Sequence, residues 1–208
     1  MHKASRQNFN AQFSSDTYQQ FLASIHHAYP QQLDFRVAET PVFVPKAFKN
    51  QLLDACEHII SVLTSADFKE KTEKAIPYGQ NVPHENLNSS FLAIDFAICE
   101  NEKGEIEPQL IELQGFPSLF AFELLQAQAL EKVYHLPKNF SPFLNGYTQA
   151  SYLDFFKSMV LGEQAKHTIL LEIKPYEQKT RHDLMLTESW LNVPIVCLSQ
   201  IYLKDKSL

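Results

Sequence analysis

Residues 91–118 read FLAIDFAICENEKGEIEPQLIELQGFPS. The segment Phe91–Ile98 alternates apolar and small or polar residues at the period of a half-buried strand. Asn101-Glu102-Lys103-Gly104 carries a turn signal, with Gly104 able to take positive φ. Gln109–Gln114 has the pattern of a second strand, and Gly115-Phe116-Pro117-Ser118 that of a tight loop. Together they predict a β-hairpin. Successive side chains in a strand alternate faces, so Glu112 and Gln114 share one face, with Leu110 beside them. Ile111 and Leu113 are then expected on the other face, in the core. A carboxylate and an amide oxygen at i and i+2 can grip one small hard cation. Asp95, a lone acid between Ile94 and Phe96, falls within about one residue of the position opposite Glu112 or Ile111. Burying such a carboxylate is costly without a partner, which a cation would supply. On spacing alone the commoner reading is a solvated strand face.

Outward from the hairpin, the chain reads as alternating helical and extended pieces. Residues 1–14 are polar and expected to fray. Ser15 or Asp16 caps a predicted helix over 16–28, with Tyr18, Phe21, Leu22 and Ile25 at helical spacing. Leu33–Ala38 and Val42–Val44 read as short extended segments. Pro45 suits the first turn of a helix running to Thr64, with Phe48, Leu52, Cys56, Ile59, Ile60 and Leu63 on one stripe. Residues 65–90 read as a long loop with one helical turn. After the hairpin, a helix is predicted over Leu119–Tyr134, capped by Ser118. A further helix spans Gln149–Val160 and stops at Gly162. Then His167–Ile173, Tyr176–Leu191 and Pro194–Leu203 follow as strand, helix and strand, the dimensions of a βαβ unit. The expected fold class is α/β with α+β elements: a mixed or antiparallel sheet with packed helices, then a partial Rossmann-like unit. Residues 1–164 are expected to form one domain and 165–208 the start of a second lobe. A lone βαβ cannot cover both faces of a parallel sheet, so more chain is expected beyond Leu208.

Composition narrows the function classes. The 208 residues carry a net charge of −6 and 45% hydrophobic residues, ordinary for a globular protein. Lys and Arg are too few for a general affinity for nucleic acid. Cys56, Cys99 and Cys197 are odd in number and widely spaced, which argues for thiols in a reducing compartment over disulfides or zinc. The first residues lack the apolar core of a signal peptide, and no apolar stretch reaches the ~20 residues that span a bilayer. A cytoplasmic location without membrane contact is the expectation.

The hairpin residues taken together resemble a known family. Ile94-Asp95-Phe96 followed by Leu110-Ile111-Glu112-Leu113-Gln114-Gly115-Phe116-Pro117-Ser118 is similar to the metal-binding hairpin of ATP-grasp enzymes. There an Asp on one strand is followed by Glu-x-Asn on the next. The likeness is greatest to circularly permuted members of the glutathionylspermidine synthase type, and it spans about residues 91–130. Pro117, Ser118 and Glu123 fit the turn and early helix of that pattern. The resemblance implies that Asp95, Glu112 and Gln114 hold Mg²⁺ against the phosphates of ATP. It implies ligation of a small-molecule acid to an amine through an acyl phosphate. Gln114 stands where the family has Asn, and Ala93 where it has Arg, so one bidentate contact is lost. In the permuted relatives the nucleotide-gripping lysines lie downstream of the hairpin. The expectation is therefore a ligase fragment inactive alone, partnered by the remaining half of the ligase or by a second copy. The alternatives are a non-catalytic, partner-dependent binding protein on the same scaffold, and a plain α/β domain.

A second polar group, Glu172, Lys174, Gln178, Lys179, Thr180, Arg181 and Asp183, follows the first strand of the final unit. Ligands favour the C-terminal ends of strands in α/β units, which makes Lys174 and Thr180 candidate phosphate or substrate contacts, with Ser118 and Glu123. The commoner reading is a solvated first helical turn. The five glycines form no Rossmann or phosphate-loop pattern. The histidines, His182 among them, are scattered and read as ordinary.

Overall fold

The computed structural model describes residues 1–86, 88–162 and 165–203. Leu87 in the long loop, Gln164 at the expected domain boundary and residues 204–208 of the expected second lobe lie outside them. Contacts divide the chain into two compact units: Met1–His2 with Val44–Pro117, and Lys3–Phe43 with the chain from Ser118 onward. The fold is mixed α/β with packed helices. Among the described residues no helix is long and apolar enough to cross a membrane.

The second unit holds most of the buried side chains. Helix α1 (Lys3–Gln12) forms where fraying is expected, because Phe9 is buried and packs on Tyr134 at 4.8 Å between ring centroids. Helix α2 (Ser15–Ala28) is capped by Ser14, whose Oγ accepts from the Thr17 amide at 3.1 Å. It buries Phe21 and Ile25. The segments expected to extend between residues 33 and 44 form no strand. Side chains hold the first of them instead: Tyr18 donates to the Val37 carbonyl at 2.6 Å, and Asp34 pairs with Arg181.

In the first unit, helix α3 (Lys46–Leu63) follows Pro45. It packs against the second strand of the hairpin. The short helix α4 (Phe68–Thr72) and a 3-10 turn occupy part of the long loop. Strands β1 (Ala93–Glu100) and β2 (Ile106–Gln114) then form the predicted antiparallel hairpin. Among the described buried apolar residues only Phe48 belongs to this unit.

Past the hairpin, α5 (Phe120–Val133) buries Ala121, Phe122, Leu124, Leu125 and Ala129, and packs on α2. Helix α6 (Gln149–Leu161) opens on a reciprocal Thr148–Ser151 cap and ends at Gly162. Strand β3 (Leu170–Glu172), helix α7 (Arg181–Leu191) and strand β4 (Ile195–Cys197) complete the chain. Strands β3 and β4 pair in parallel, Leu170 with Ile195 through Glu172 with Cys197. The helix expected from Tyr176 begins later, at Arg181. Lys174 is left-handed and Gln178 extended, so only a 3-10 turn fits between them.

The expected mixed or antiparallel sheet is present among the described strands as a small antiparallel one, β1 with β2, and does not extend to a mixed sheet. The described strands make two separate two-stranded sheets, one antiparallel and one parallel. Strands β3 and β4 are three residues each, too short to template a wide sheet.

Candidate functional site

The hairpin register answers where Asp95 lies. Asp95 is directly opposite Glu112, and Ala93 is opposite Gln114. Phe96 is opposite Leu110, so the pairing shifts between these rungs and Ile111 is left without a partner. That is a β-bulge, with two residues on β2 spanning one step of β1. Its consequence is a change of face. Paired residues share a face, and β1 alternates without interruption. Asp95, Glu112 and Gln114 therefore lie on one face, with Ala97, Cys99, Glu107 and Gln109. Leu110 lies on the other, with Ile94, Phe96, Ile98 and Leu113. Leu110 is thus not beside Glu112, as simple alternation predicts, because Ile111 absorbs one step.

Ile111 and Leu113 are also not in a core. They are 66% and 36% exposed. The bulge turns Ile111 outward, and α3 is the helix that packs on β2.

Directly opposed residues have Cβ atoms about 4.5–5.5 Å apart, and diagonal ones about 7–8 Å. Asp95 and Glu112 are both exposed, and Gln114 is half-buried. Among the described residues neither carboxylate forms an ion pair. Two carboxylates facing each other across a rung repel, which a shared cation would offset. No group of three or more His, Cys, Asp or Glu among the described residues gathers as a metal-ligating cluster. The donor set is two carboxylates and one amide oxygen, the chemistry of a hard divalent cation that keeps several waters or phosphate oxygens.

The remaining candidates belong to the second unit. Ser118 is exposed and does not cap α5, whose N-cap is left-handed Leu119 at φ 83°. The cap comes from Asp183 on α7. Its Oδ1 accepts from the Ala121 and Phe122 amides, each at 2.9 Å. A carboxylate at a helix N-terminus satisfies orphan donors and complements the dipole, and this one reaches across more than sixty residues of chain. Glu123 is exposed on the first turn of α5. Lys174 donates to Glu177 at 3.1 Å, so its charge is shared locally. Thr180 is the N-cap of α7 and makes no side-chain cap bond.

Of the polar group around α7, Lys174 and Lys179 are exposed and Glu172, Gln178, Thr180 and Arg181 half-buried; Asp183, with its neighbour His182, departs from the solvated turn that the composition predicts. His182 and Asp183 are buried, at 3% and 6% exposure. Burial pushes the Asp183 carboxyl up, opposed by the amides of Phe122, Leu119 and Ala121. Burial pushes the His182 imidazole down. The His182 ring sits among Phe122, Phe35 and Tyr29, with centroids at 4.7, 4.9 and 6.2 Å. Its Nε2 is buried without a partner among the described residues. Arg181 forks onto Asp34, with the Nη2–Oδ1 contact at 2.8 Å, and Nη2 also reaches the Gln32 carbonyl at 3.3 Å. This contact holds the Asp34 carboxyl below its usual range. The signal available in the sequence is the spacing of these residues at the start of a helix. The apolar residues on the same helix, Leu186 and Leu191, define which side faces inward.

Comparison with known proteins finds no family model, no curated protein and no solved structure that the chain matches.

Proposed function

We propose that the hairpin is the cation-binding element of an ATP-grasp-like carboxylate–amine ligase. The observation that carries this reading is the register: Asp95 opposite Glu112, with Gln114 on the same face. Asp95 and Glu112 would supply one carboxylate oxygen or more each, and Gln114 its amide oxygen. Mg²⁺ bound there would screen the phosphate oxygens of ATP during transfer of the γ-phosphoryl group to a substrate carboxylate. An amine would then displace phosphate from the acyl phosphate and leave an amide. Asp95 and Glu112 orient the cation on the hairpin face, and the bulge at Ile111 keeps Leu110 off that face.

The hairpin itself brings one cationic side chain, Lys103, and Ala93 stands where the family has Arg. The charges that grip a nucleotide lie outside the hairpin, so in this reading the chain works with a further element, the other half of the ligase or a second copy. The finer fold reading follows: the hairpin as an ATP-grasp-like portion, and β3–α7–β4 as a Rossmann-like unit.

A second reading is favoured by a specific observation. Apolar side chains on the hairpin, Ile98, Leu110 and Leu113 among them, are exposed, and the first unit buries one apolar residue among those described. That suits a non-catalytic, partner-dependent protein on the same scaffold.

Line broadening by Mn²⁺, read on backbone amides, separates the two. In the ligase reading, Mn²⁺ broadens the amides of Asp95, Glu112 and Gln114 at substoichiometric metal, more so with ATP, and Glu112→Gln abolishes it. Uniform weak broadening that Glu112→Gln leaves unchanged would remove the cation site and leave the partner-dependent reading.

A further inference from the structure

The two outer edges of the hairpin are not alike. The Asn101 amide donates to the Glu105 carbonyl at 2.9 Å. In an antiparallel ladder this makes Glu100–Ile106 a non-hydrogen-bonded rung, Cys99–Glu107 a bonded one, and Ile98–Pro108 non-bonded again. The backbone groups of Phe96, Ile98 and Glu100 therefore point away from β2. On β2 the corresponding outward positions are Ile106, Pro108 and Leu110, and the middle one, Pro108, has no N–H to offer. The bulge at Ile111 lies on the same strand. Proline and a bulge are devices that close a sheet edge to further pairing. Strand β1 has neither over its eight residues, and among the described residues no strand pairs with its outer edge.

The faces are also unlike. One carries Ile94, Phe96, Ile98, Ile106, Pro108, Leu110 and Leu113, with Glu100 at its turn end; Ile98 is 45% and Leu110 53% exposed. The other carries Asp95, Glu107 and Glu112 with no cationic side chain. Over residues 93–114 six carboxylates oppose the single Lys103, a net of −5 in a chain whose total is −6.

We infer that the outer edge of β1 takes up an extended strand from a basic protein partner. Its apolar side chains would alternate with Lys or Arg. Backbone pairing supplies affinity, and alternate side chains supply selection. The apolar residues would continue the Ile98 face and the basic ones would lie beside Asp95. A second copy fits less well, since edge-to-edge pairing would bring together two hairpins of the same negative sign.

The test uses the full chain without divalent cation. The probe is a capped peptide of about eight residues alternating lysine and valine, the length of β1. The controls are a glutamate–valine peptide and the lysine–valine peptide N-methylated throughout, which keeps the charge but has no donor. Affinity is read by fluorescence anisotropy, and hydrogen exchange follows the Phe96, Ile98 and Glu100 amides. The expected result is binding by the lysine–valine peptide that slows exchange at those three amides. It should weaken by about tenfold or more on N-methylation, with glutamate, or in Glu112→Lys, and it should fall as salt rises. Equal affinity for the methylated peptide would mean attraction by charge alone and would overturn the edge assignment. Absence of binding would overturn the partner class. If sedimentation shows the chain dimerising alone, with the same three amides protected as concentration rises, the occupant is a second copy and the inference fails.

Discussion

Asp183 ties α7 to the N-terminus of α5. Replacing it with Ala removes two charge-assisted hydrogen bonds, to the Ala121 and Phe122 amides at 2.9 Å each. Ala121 is 0% and Phe122 4% exposed, so water cannot reach the freed donors. Each bond to a charged group is worth about 1.5–3 kcal/mol, and a donor left buried costs about 1–3 kcal/mol. Part of this is offset, because the carboxylate no longer has to be desolvated. A net loss of about 2–4 kcal/mol is expected, from two buried donors left unsatisfied less the desolvation of the carboxylate that is regained. Asp183→Asn keeps an acceptor oxygen of the same shape and should lose about 1 kcal/mol. The pH dependence gives an independent check. Burial raises the Asp183 pKa in the folded state. Between its unfolded value, near 3.8, and the raised one, the folded chain holds more protons than the unfolded chain. This group therefore makes stability fall as pH rises through that window, and Asp183→Asn removes that slope. Urea unfolding is the assay, followed by fluorescence of Trp190, the single tryptophan, which lies on α7. A loss below about 1 kcal/mol for Asp183→Ala, or equal losses for Ala and Asn, would refute the capping argument.

Other perturbations give distinct outcomes. His182 is held neutral by burial, with a lowered pKa and an Nε2 that has no partner among the described residues. Its stabilisation is full above the unfolded pKa of about 6.5 and is lost as pH falls below it toward the folded value, so His182→Phe should flatten the urea midpoint between pH 7 and 5. Gly104 turns the hairpin at φ +75°, and a methyl group there would meet only Glu100 Oε1, at 3.6 Å. Gly104→Ala should therefore cost about 1 kcal/mol through backbone strain alone, seen as faster amide exchange in β1 and β2. Pro108→Val restores an outward donor on β2, and light scattering should show the variant aggregating at concentrations where the parent stays clear. Glu112→Gln should abolish site-specific Mn²⁺ broadening at Asp95 while leaving the urea midpoint within about 0.5 kcal/mol, as for a substitution at an exposed position.

Local rules suffice where an element is governed by its own residues. The hairpin is legible in the sequence because its turn signal and its two strands are contiguous. The helix over residues 16–28 is legible because Phe21 and Ile25 recur at its period. The bulge is not, since nothing in Leu110-Ile111-Glu112 marks which residue is left unpaired. It follows from fitting the Asn101–Glu105 turn and the Asp95–Glu112 rung onto strands of unequal length. The cap of α5 escapes for a related reason. Ser118 has the right chemistry at the right spacing, but Leu119 turns left-handed and Asp183 arrives from a helix far along the chain. Helix α1 departs in the opposite direction: its composition is polar, and the tertiary contacts of Phe9, with Tyr134 and Phe43, are what that composition does not show.

The bulge links the two readings of the hairpin. Were Ile111 paired like its neighbours, strict alternation would put Leu110 on the face of Glu112 and mix apolar with acidic side chains. Taken up as a bulge, it lets Asp95, Glu112 and Gln114 gather on one face while Ile94, Phe96, Ile98 and Leu110 gather on the other. One unpaired residue thus separates the acidic face, where the cation is proposed, from a face that is apolar except for Glu100 at its turn end. It also helps to close the edge of β2, and leaves β1 as the side on which a sheet can grow. Two changes of length test this from opposite directions. Inserting Ala between Asp95 and Phe96 gives Ile111 a partner and keeps Asp95 opposite Glu112. Phe96, Ile98 and Leu110 then move to the acidic face. The Mn²⁺ response at Asp95 should survive, while affinity for the lysine–valine peptide falls by about tenfold or more. Deleting Ile111 instead brings Leu110 next to Glu112 in a regular ladder, with both faces sorted as before. Both responses should then persist, and only the protection of the β2 edge should weaken, seen as aggregation at lower concentration. Peptide affinity lost in the deletion as well as in the insertion would mean that strand length, not the sorting of faces, governs recognition, and the hairpin would have to be explained one face at a time.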